Sequence, residues 1–200
     1  MQDDPRPHFN PLRAAPNLLT LGRICLAPFL VAAILEKRFE IGFILFLIAG
    51  LTDALDGALA RILKQRTEFG HYLDPVADKL LLSTLFLVLM YEGLIPTTVT
   101  VLVFGRDVAI LLVAAILYAA VGRREFKPSV FGKANTLSQI IAVAAVLLSQ
   151  LVQAHWLAIF RTVALDATIA LTVVSGLHYA WVVSRRGGGN SPAANGSGPK

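Results

Sequence analysis

The sequence predicts an all-α, polytopic membrane protein with six transmembrane helices and both termini in the cytoplasm. Three observations carry that expectation. Of the 200 residues, 56% are hydrophobic and only 16% charged, against about 25% charged in an ordinary soluble domain. The apolar residues are gathered into runs of about twenty, the length that crosses a hydrocarbon core as a helix. Lysine and arginine are concentrated in alternate connections, the asymmetry that orients helices in a bilayer.

Taken in order, residues 1–16 hold four prolines and no apolar run, so they are expected to form a cytoplasmic arm rather than a secretory leader. A first span is expected over 17–35, with Pro28 either kinking it or absorbed by its neighbours. EKRFE (36–40) turns the chain, and a second span follows over 41–63. Residues 64–73 are expected as a polar loop. Asp74 before Pro75 reads as an N-cap followed by proline at the first helical position, opening a third span over 74–91. EGLIP (92–96) precedes a fourth span over 98–121, and the basic segment 122–133 connects it to a fifth over 134–152. The sixth span, 157–183, ends at SRR. The organisation is therefore an arm (1–16), a six-helix domain (17–184) and a glycine- and serine-rich disordered tail (185–200). Arg6, Arg13, Arg61, Lys64, Arg66, Arg123, Arg124, Lys127, Lys133, Arg185 and Arg186 fall on one side, and only Lys37 and Arg38 on the other.

Charge and cysteine content narrow the function. A net charge of +5 without a soluble basic domain suits anionic lipid rather than nucleic acid. Cys25 is the single cysteine and lies in the first apolar run, so neither a disulfide nor a thiolate metal site is expected. No internal repeat is visible, which disfavours common transporter architectures.

Four aspartates, Asp53, Asp56, Asp74 and Asp78, interrupt the second and third spans. Each carboxylate costs about 2.5–3.5 kcal/mol at a helix centre on insertion scales, so the group marks a functional site. Spacings of i, i+3 and i, i+4 put each pair on one helix face. Four crowded carboxylates stay ionised only with a cation beside them. Oxygen-only ligands select hard ions, Mg²⁺ or Mn²⁺ first and Ca²⁺ next, and four carboxylates suit two ions clamping a phosphoryl group. Gly57 and Ala60 leave a bare helix side for a ligand, though the same residues suit helix packing. Arg61 offers a planar donor to phosphate or serves as an interfacial anchor. Thr67 and Gly70 lie where a hydroxyl and a backbone turn could meet a nucleotide. His71 is expected to be solvated, and Asp166 to pair with Arg161.

The string Asp53-x2-Asp56-Gly57-x2-Ala60-Arg61-x8-Gly70-x3-Asp74-x3-Asp78 resembles the signature of the CDP-alcohol phosphatidyltransferase family, with every fixed position filled. The resemblance extends to PNLLTLGR (16–23), FGRDV (104–108) and GKANT (132–136). It implies that Asp53 and Asp74 bridge two divalent cations, Mg²⁺ or Mn²⁺, that Asp56 binds one and Asp78 the other, and that Asp78 is the catalytic base. Gly57, Ala60, Arg61, Thr67 and Gly70 would contact CDP-diacylglycerol. An acceptor hydroxyl would attack the phosphorus bonded to diacylglycerol, and CMP would leave. The family also implies a homodimer, and a bacterial-type cell membrane as the location.

The acceptor is left open between glycerol 3-phosphate and phosphatidylglycerol. PNLLTLGR and LDPVADK are similar to phosphatidylglycerophosphate synthases, whereas AGLTDALDG, the RDV segment and KPSVFGKANT look like CMP-forming cardiolipin synthases. The former more often carry an arginine–glutamate pair where this chain has Arg106-Asp107, and a lysine where it has Asn135. Arg106, Lys133 and Arg23 are candidates for holding the anionic acceptor, each also readable as an interfacial cation. Lys79 is expected to neutralise the acidic cluster. A divalent-cation transporter remains an alternative class, separated from the enzyme by metal flux without CMP release.

Overall fold

The computed structural model describes the chain over residues 15–62, 68–121 and 130–187, and side chains over 22–55, 79–112, 131–179 and 181. Six helices and no strand occur among the described residues: α1 (Ala15–Leu35), α2 (Phe39–Ile62), α3 (Glu68–Tyr91), α4 (Thr97–Val121), α5 (Val130–Leu151) and α6 (His155–Gly187). The expected arm over 1–14, residues 63–67 with Thr67, the basic connection over 122–129 and the tail beyond 187 lie outside them.

Three tight turns lie at one end of the bundle. α1 and α3 both finish in a Schellman motif, in which the last carbonyls are satisfied by reversed bonds. At α1, Arg38 N donates to Ala33 O (2.8 Å) and Lys37 N to Ile34 O (2.9 Å), and at α3, Leu94 N donates to Leu89 O (2.8 Å) and Gly93 N to Met90 O (2.9 Å). The residue past each helix end is left-handed, Gly93 at φ 73° and Lys37 at φ 59°. Glycine adopts that conformation without the Cβ penalty that Lys37 bears. Only 152–154 separate α5 from α6, with Leu157 N and Ala158 N donating to Ala154 O.

α1 packs on α2 and α3, α5 on α6, α2 and α3, and α4 on α3 and α6. The interior is zoned along its length. Leu30, Ile34, Phe46, Phe86, Leu89, Val99, Val146 and Leu147 form an apolar core in the half that carries the turns. Apart from Thr100, whose hydroxyl donates to Phe86 O near the α3–α4 turn, the buried polar residues, Arg23, Asp107, Asn135, Ser138, Gln139, Thr168, Thr172 and Ser175, occupy the other half. The outer surface is apolar: Phe29, Leu51, Leu111, Val163 and Leu177 are all more than half exposed. A helix apolar all round belongs in a core or in lipid, and these residues have no protein over them. Phe131–Leu151 and His155–Tyr179 are each long and apolar enough to cross a membrane, while Gly22–Leu35 and Lys79–Tyr91 are shorter apolar stretches.

The structure corrects several boundaries. α3 begins at Glu68, so Gly70 and the segment through Leu73 are helical, and Asp74 lies inside the helix instead of capping it. A glutamate at the first helical position favours this earlier start. Pro75 removes one i→i−4 bond, a loss that a 24-residue helix tolerates. Pro28 lies within α1 without ending it. α5 starts at Val130, which puts Lys133 in its first turn rather than in a loop. α6 runs through Arg185 and Arg186 to Gly187, past the end expected for the sixth span.

Candidate active site

The aspartates lie on α2 and α3 in the half of the bundle away from the three turns. Asp56 and Asp53 fall six and nine residues before the end of α2. Asp74 and Asp78 fall six and ten residues after the start of α3. At 1.5 Å per residue, both pairs are about 9–15 Å from the helix ends that residues 63–67 connect. Within each helix the spacings place the two members on one face. The expected meeting of α2 and α3 is mediated, among the described residues, by α1 and α5, against which both helices pack.

Asp53 is the member whose side chain is described. Arg23 on α1 reaches across to it, Nη2 to Oδ1 at 2.7 Å, with the arginine side chain 2% exposed and the carboxylate 46% exposed. A guanidinium, always charged and planar, thus holds the first motif aspartate from the protein side, while the carboxylate remains open on the other. Arg23, expected as an acceptor contact, is ion-paired to Asp53 in the structure. The side chains of Asp56, Gly57, Ala60, Arg61, Gly70, Asp74 and Asp78 lie outside the described ones.

A second charged cluster ties α3, α4 and α6 together. Lys79, the neighbour of Asp78, donates to both carboxylate oxygens of Asp107 at 2.8 and 2.9 Å. Arg106 Nη1 donates to Asp107 Oδ1 at 2.7 Å, and its Nη2 to Ser175 Oγ at 2.6 Å. The lengths are those of charge-assisted bonds. Lys79, expected to neutralise the acidic cluster, is ion-paired to Asp107, because α3 and α4 pack directly together; the side chains of Asp56, Asp74 and Asp78 lie outside the described ones. Arg106 is likewise held by Asp107 and Ser175, with Nε buried and unpartnered. Lys133 alone of the three acceptor candidates is exposed.

A third cluster joins α5 to α6. Thr172 Oγ1 donates to Asn135 Oδ1 at 2.9 Å, and Thr168 Oγ1 lies 3.2 Å from Ser138 O. Gln139 is fully buried beside them without a partner for its amide. These contacts went unread in the sequence. Their signal was present: Thr168, Thr172 and Ser175 recur at i, i+4, i+7, and Asn135, Ser138 and Gln139 at i, i+3, i+4, each a polar stripe along an apolar helix. The expected pairing of Arg161 with Asp166 does not form; no ion pair joins them, and Asp166 is exposed. Five residues along a helix turn the second side chain about 140° from the first, off the faces that i+3 and i+4 share.

The donor set suits a hard divalent ion. All four motif residues are carboxylates, and the described one keeps nearly half of its side chain exposed beside its arginine. Oxygen-only ligands of this kind bind magnesium or manganese in preference to softer ions.

A sequence model described as CDP-alcohol phosphatidyltransferase matches residues 13–176, and the chain belongs to that family. Its members are transferases that use divalent cations. Among its relatives, human cardiolipin synthase (CMP-forming) is 40% identical over 148 residues, covering 65% of this chain and 48% of that protein. The chain thus spans about half the length of that relative. The CDP-diacylglycerol–glycerol-3-phosphate 3-phosphatidyltransferase of Bacillus subtilis is 36% identical over 179 residues, covering 82% of this chain and 92% of the relative. A probable phosphatidylglycerophosphate synthase of Mycobacterium tuberculosis is 33% identical over 170 residues, covering 82% and 78%.

Proposed function

We propose that the protein is an integral-membrane enzyme that moves the phosphatidyl group of CDP-diacylglycerol to glycerol 3-phosphate, giving phosphatidylglycerophosphate and CMP. The observation that carries this reading is the complete eight-position motif on α2 and α3, in the polar half of the bundle, within a chain of the phosphatidyltransferase family.

Asp53, Asp56, Asp74 and Asp78 would hold two divalent cations, Mg²⁺ or Mn²⁺. Such ions, when bound, stabilise charge on a pyrophosphate and on its leaving group. The protein's own part is positioning and proton transfer. Arg23 fixes the Asp53 carboxylate from behind. Gly57 and Ala60 give the CDP group a helix surface without bulk, and Arg61 donates to its phosphates. Thr67 and Gly70 contact the nucleotide. Asp78 takes the proton of the acceptor hydroxyl. The acceptor oxygen then bonds to the phosphorus carrying diacylglycerol, and the P–O bond to CMP breaks, so CMP leaves with the bridging oxygen. Lys133, exposed at the start of α5, would meet the acceptor phosphate. Arg106 shapes that side through Asp107 and Ser175.

A second reading, phosphatidylglycerol as acceptor, is favoured by the 40% identity to human cardiolipin synthase. Purified protein given CDP-diacylglycerol with each acceptor in parallel, and the lipid product identified by mass, separates the two. Phosphatidylglycerophosphate from glycerol 3-phosphate is expected; cardiolipin alone would replace the first reading with the second.

The six helices are proposed to cross a bacterial-type cell membrane with both termini and the aspartates toward the cytoplasm, as a homodimer. The apolar outer surface and the side-to-side imbalance of lysine and arginine support this. That setting lets a water-soluble nucleotide head and a membrane-held diacylglycerol meet at one depth.

A further inference from the structure

At the end of the bundle opposite the aspartates, a cavity of about 270 Å³ opens at the turn between α5 and α6. Its polar lining is Ser149, Gln153, His155 and Arg161, with Ala158 among the apolar atoms and no carboxylate. The volume is below that of a drug-sized pocket and suits a small group. Arg161 is the unusual member. It stands inside an apolar stretch long enough to cross a membrane, its Nε is buried without a partner, and it makes no ion pair with a described residue. An ionised side chain at such a place is costly and normally paired. The one carboxylate on its helix, Asp166, is on the wrong side to serve.

Further donors stand at the cavity and beside it. His155 N and Trp156 N, the first two of α6, have no backbone partner, as expected of a helix start. The Gln153 amide makes no hydrogen bond with a described residue and can turn its NH₂ inward, whereas the Ser149 hydroxyl is already engaged, donating to Val146 O at 2.7 Å and accepting from Gln150 Nε2 at 3.3 Å. Just outside, Trp156 (65% exposed), Ile159, Phe160 and Val163 present apolar surface. Tryptophan beside polar groups is typical of the membrane–water boundary.

We propose that this cavity binds a phosphate anion, and that its source is the headgroup of an anionic phospholipid, the phosphate meeting Arg161 and the acyl chains lying over Trp156, Ile159 and Phe160. A guanidinium matches two phosphate oxygens at once. The lipid source rests on the membrane placement above; the phosphate chemistry does not.

The test uses the full chain carrying Trp181→Phe, so that Trp156 is the sole tryptophan, in a maltoside detergent free of phosphate. Dihexanoyl phosphatidylglycerol and inorganic phosphate are titrated separately while Trp156 emission is read. A saturable change with the lipid, with Kd raised at least tenfold in Arg161→Gln and in the cavity-filling Ala158→Leu, is the expected result. Saturation by inorganic phosphate at equal affinity would overturn the lipid source and leave a soluble phosphate as occupant. Binding unaltered by both variants, or no saturation with either probe, overturns the site. Ala158→Leu retains the charge and so answers even if Arg161→Gln does not fold. No turnover is needed, so failure here is distinguishable from failure of the transferase reading.

Discussion

Replacing Asp107 by alanine should destabilise the bundle more than any other single truncation in its polar half. The carboxylate, 5% exposed, accepts two bonds from Lys79 and one from Arg106, whose side chains are 27% and 9% exposed. Its removal leaves two cations side by side. Breaking a buried pair costs about 3–5 kcal/mol. Lys79 has enough exposure to turn its ammonium outward, so the penalty falls mainly on Arg106, and about 3 kcal/mol is the expected loss. For a chain of this size that is about 6–12 °C in Tm, at about 2–4 °C per kcal/mol. The assay is thermal unfolding in detergent, run as a double-mutant cycle with Asp107→Asn and Arg106→Gln. The double variant should lose less than the two singles added, by about 1–3 kcal/mol. A shift below about 0.5 kcal/mol for Asp107→Ala, or strict additivity in the cycle, would refute the reasoning.

Thr172→Val removes the donor to buried Asn135 and should cost about 1–3 kcal/mol, read as a lower Tm, with Thr172→Ser restoring most of it. At the turns, Gly93→Ala should destabilise by about 1 kcal/mol and Lys37→Gly should stabilise by up to that much, both read as shifts in Tm; a Cβ built on Gly93 meets nothing within 4 Å beyond its chain neighbours, so a neutral Gly93→Ala together with a destabilising Lys37→Gly would refute the assignment of these costs to φ. Arg23→Gln should lower kcat/KM for CDP-diacylglycerol by about tenfold or more through loss of the fixed Asp53 geometry, with Tm measured alongside; unchanged kinetics would separate Arg23 from the site.

The helices were legible because long apolar runs and the turn at EGLIP admit few other readings. Four of the six begin within two residues of the expected position. α3 was misread because Asp-Pro is a strong helix-start signal locally, while six helical residues before it give no apolar pattern to set against that signal. α5 began early for a similar reason: glycine at 132 and lysine at 133 look like loop until the neighbouring helices supply packing. The motif aspartates were readable because charge in an apolar run stands out. The polar stripes that hold Asn135, Thr172 and Ser175 are legible as spacing, but the partners of these residues and of Asp107 are not, since each depends on which helix lies opposite, a fact of tertiary packing. Arg161 and Asp166 show the reverse error, in which closeness in sequence was taken for closeness in space.

The most direct test of the account is CMP release from CDP-diacylglycerol by purified wild-type protein and by Asp78→Asn, with glycerol 3-phosphate present and with magnesium or manganese added or chelated. CMP is expected only from the wild type and only with the divalent ion; equal release by Asp78→Asn, or release undiminished by chelation, would contradict the proposed chemistry of the four aspartates.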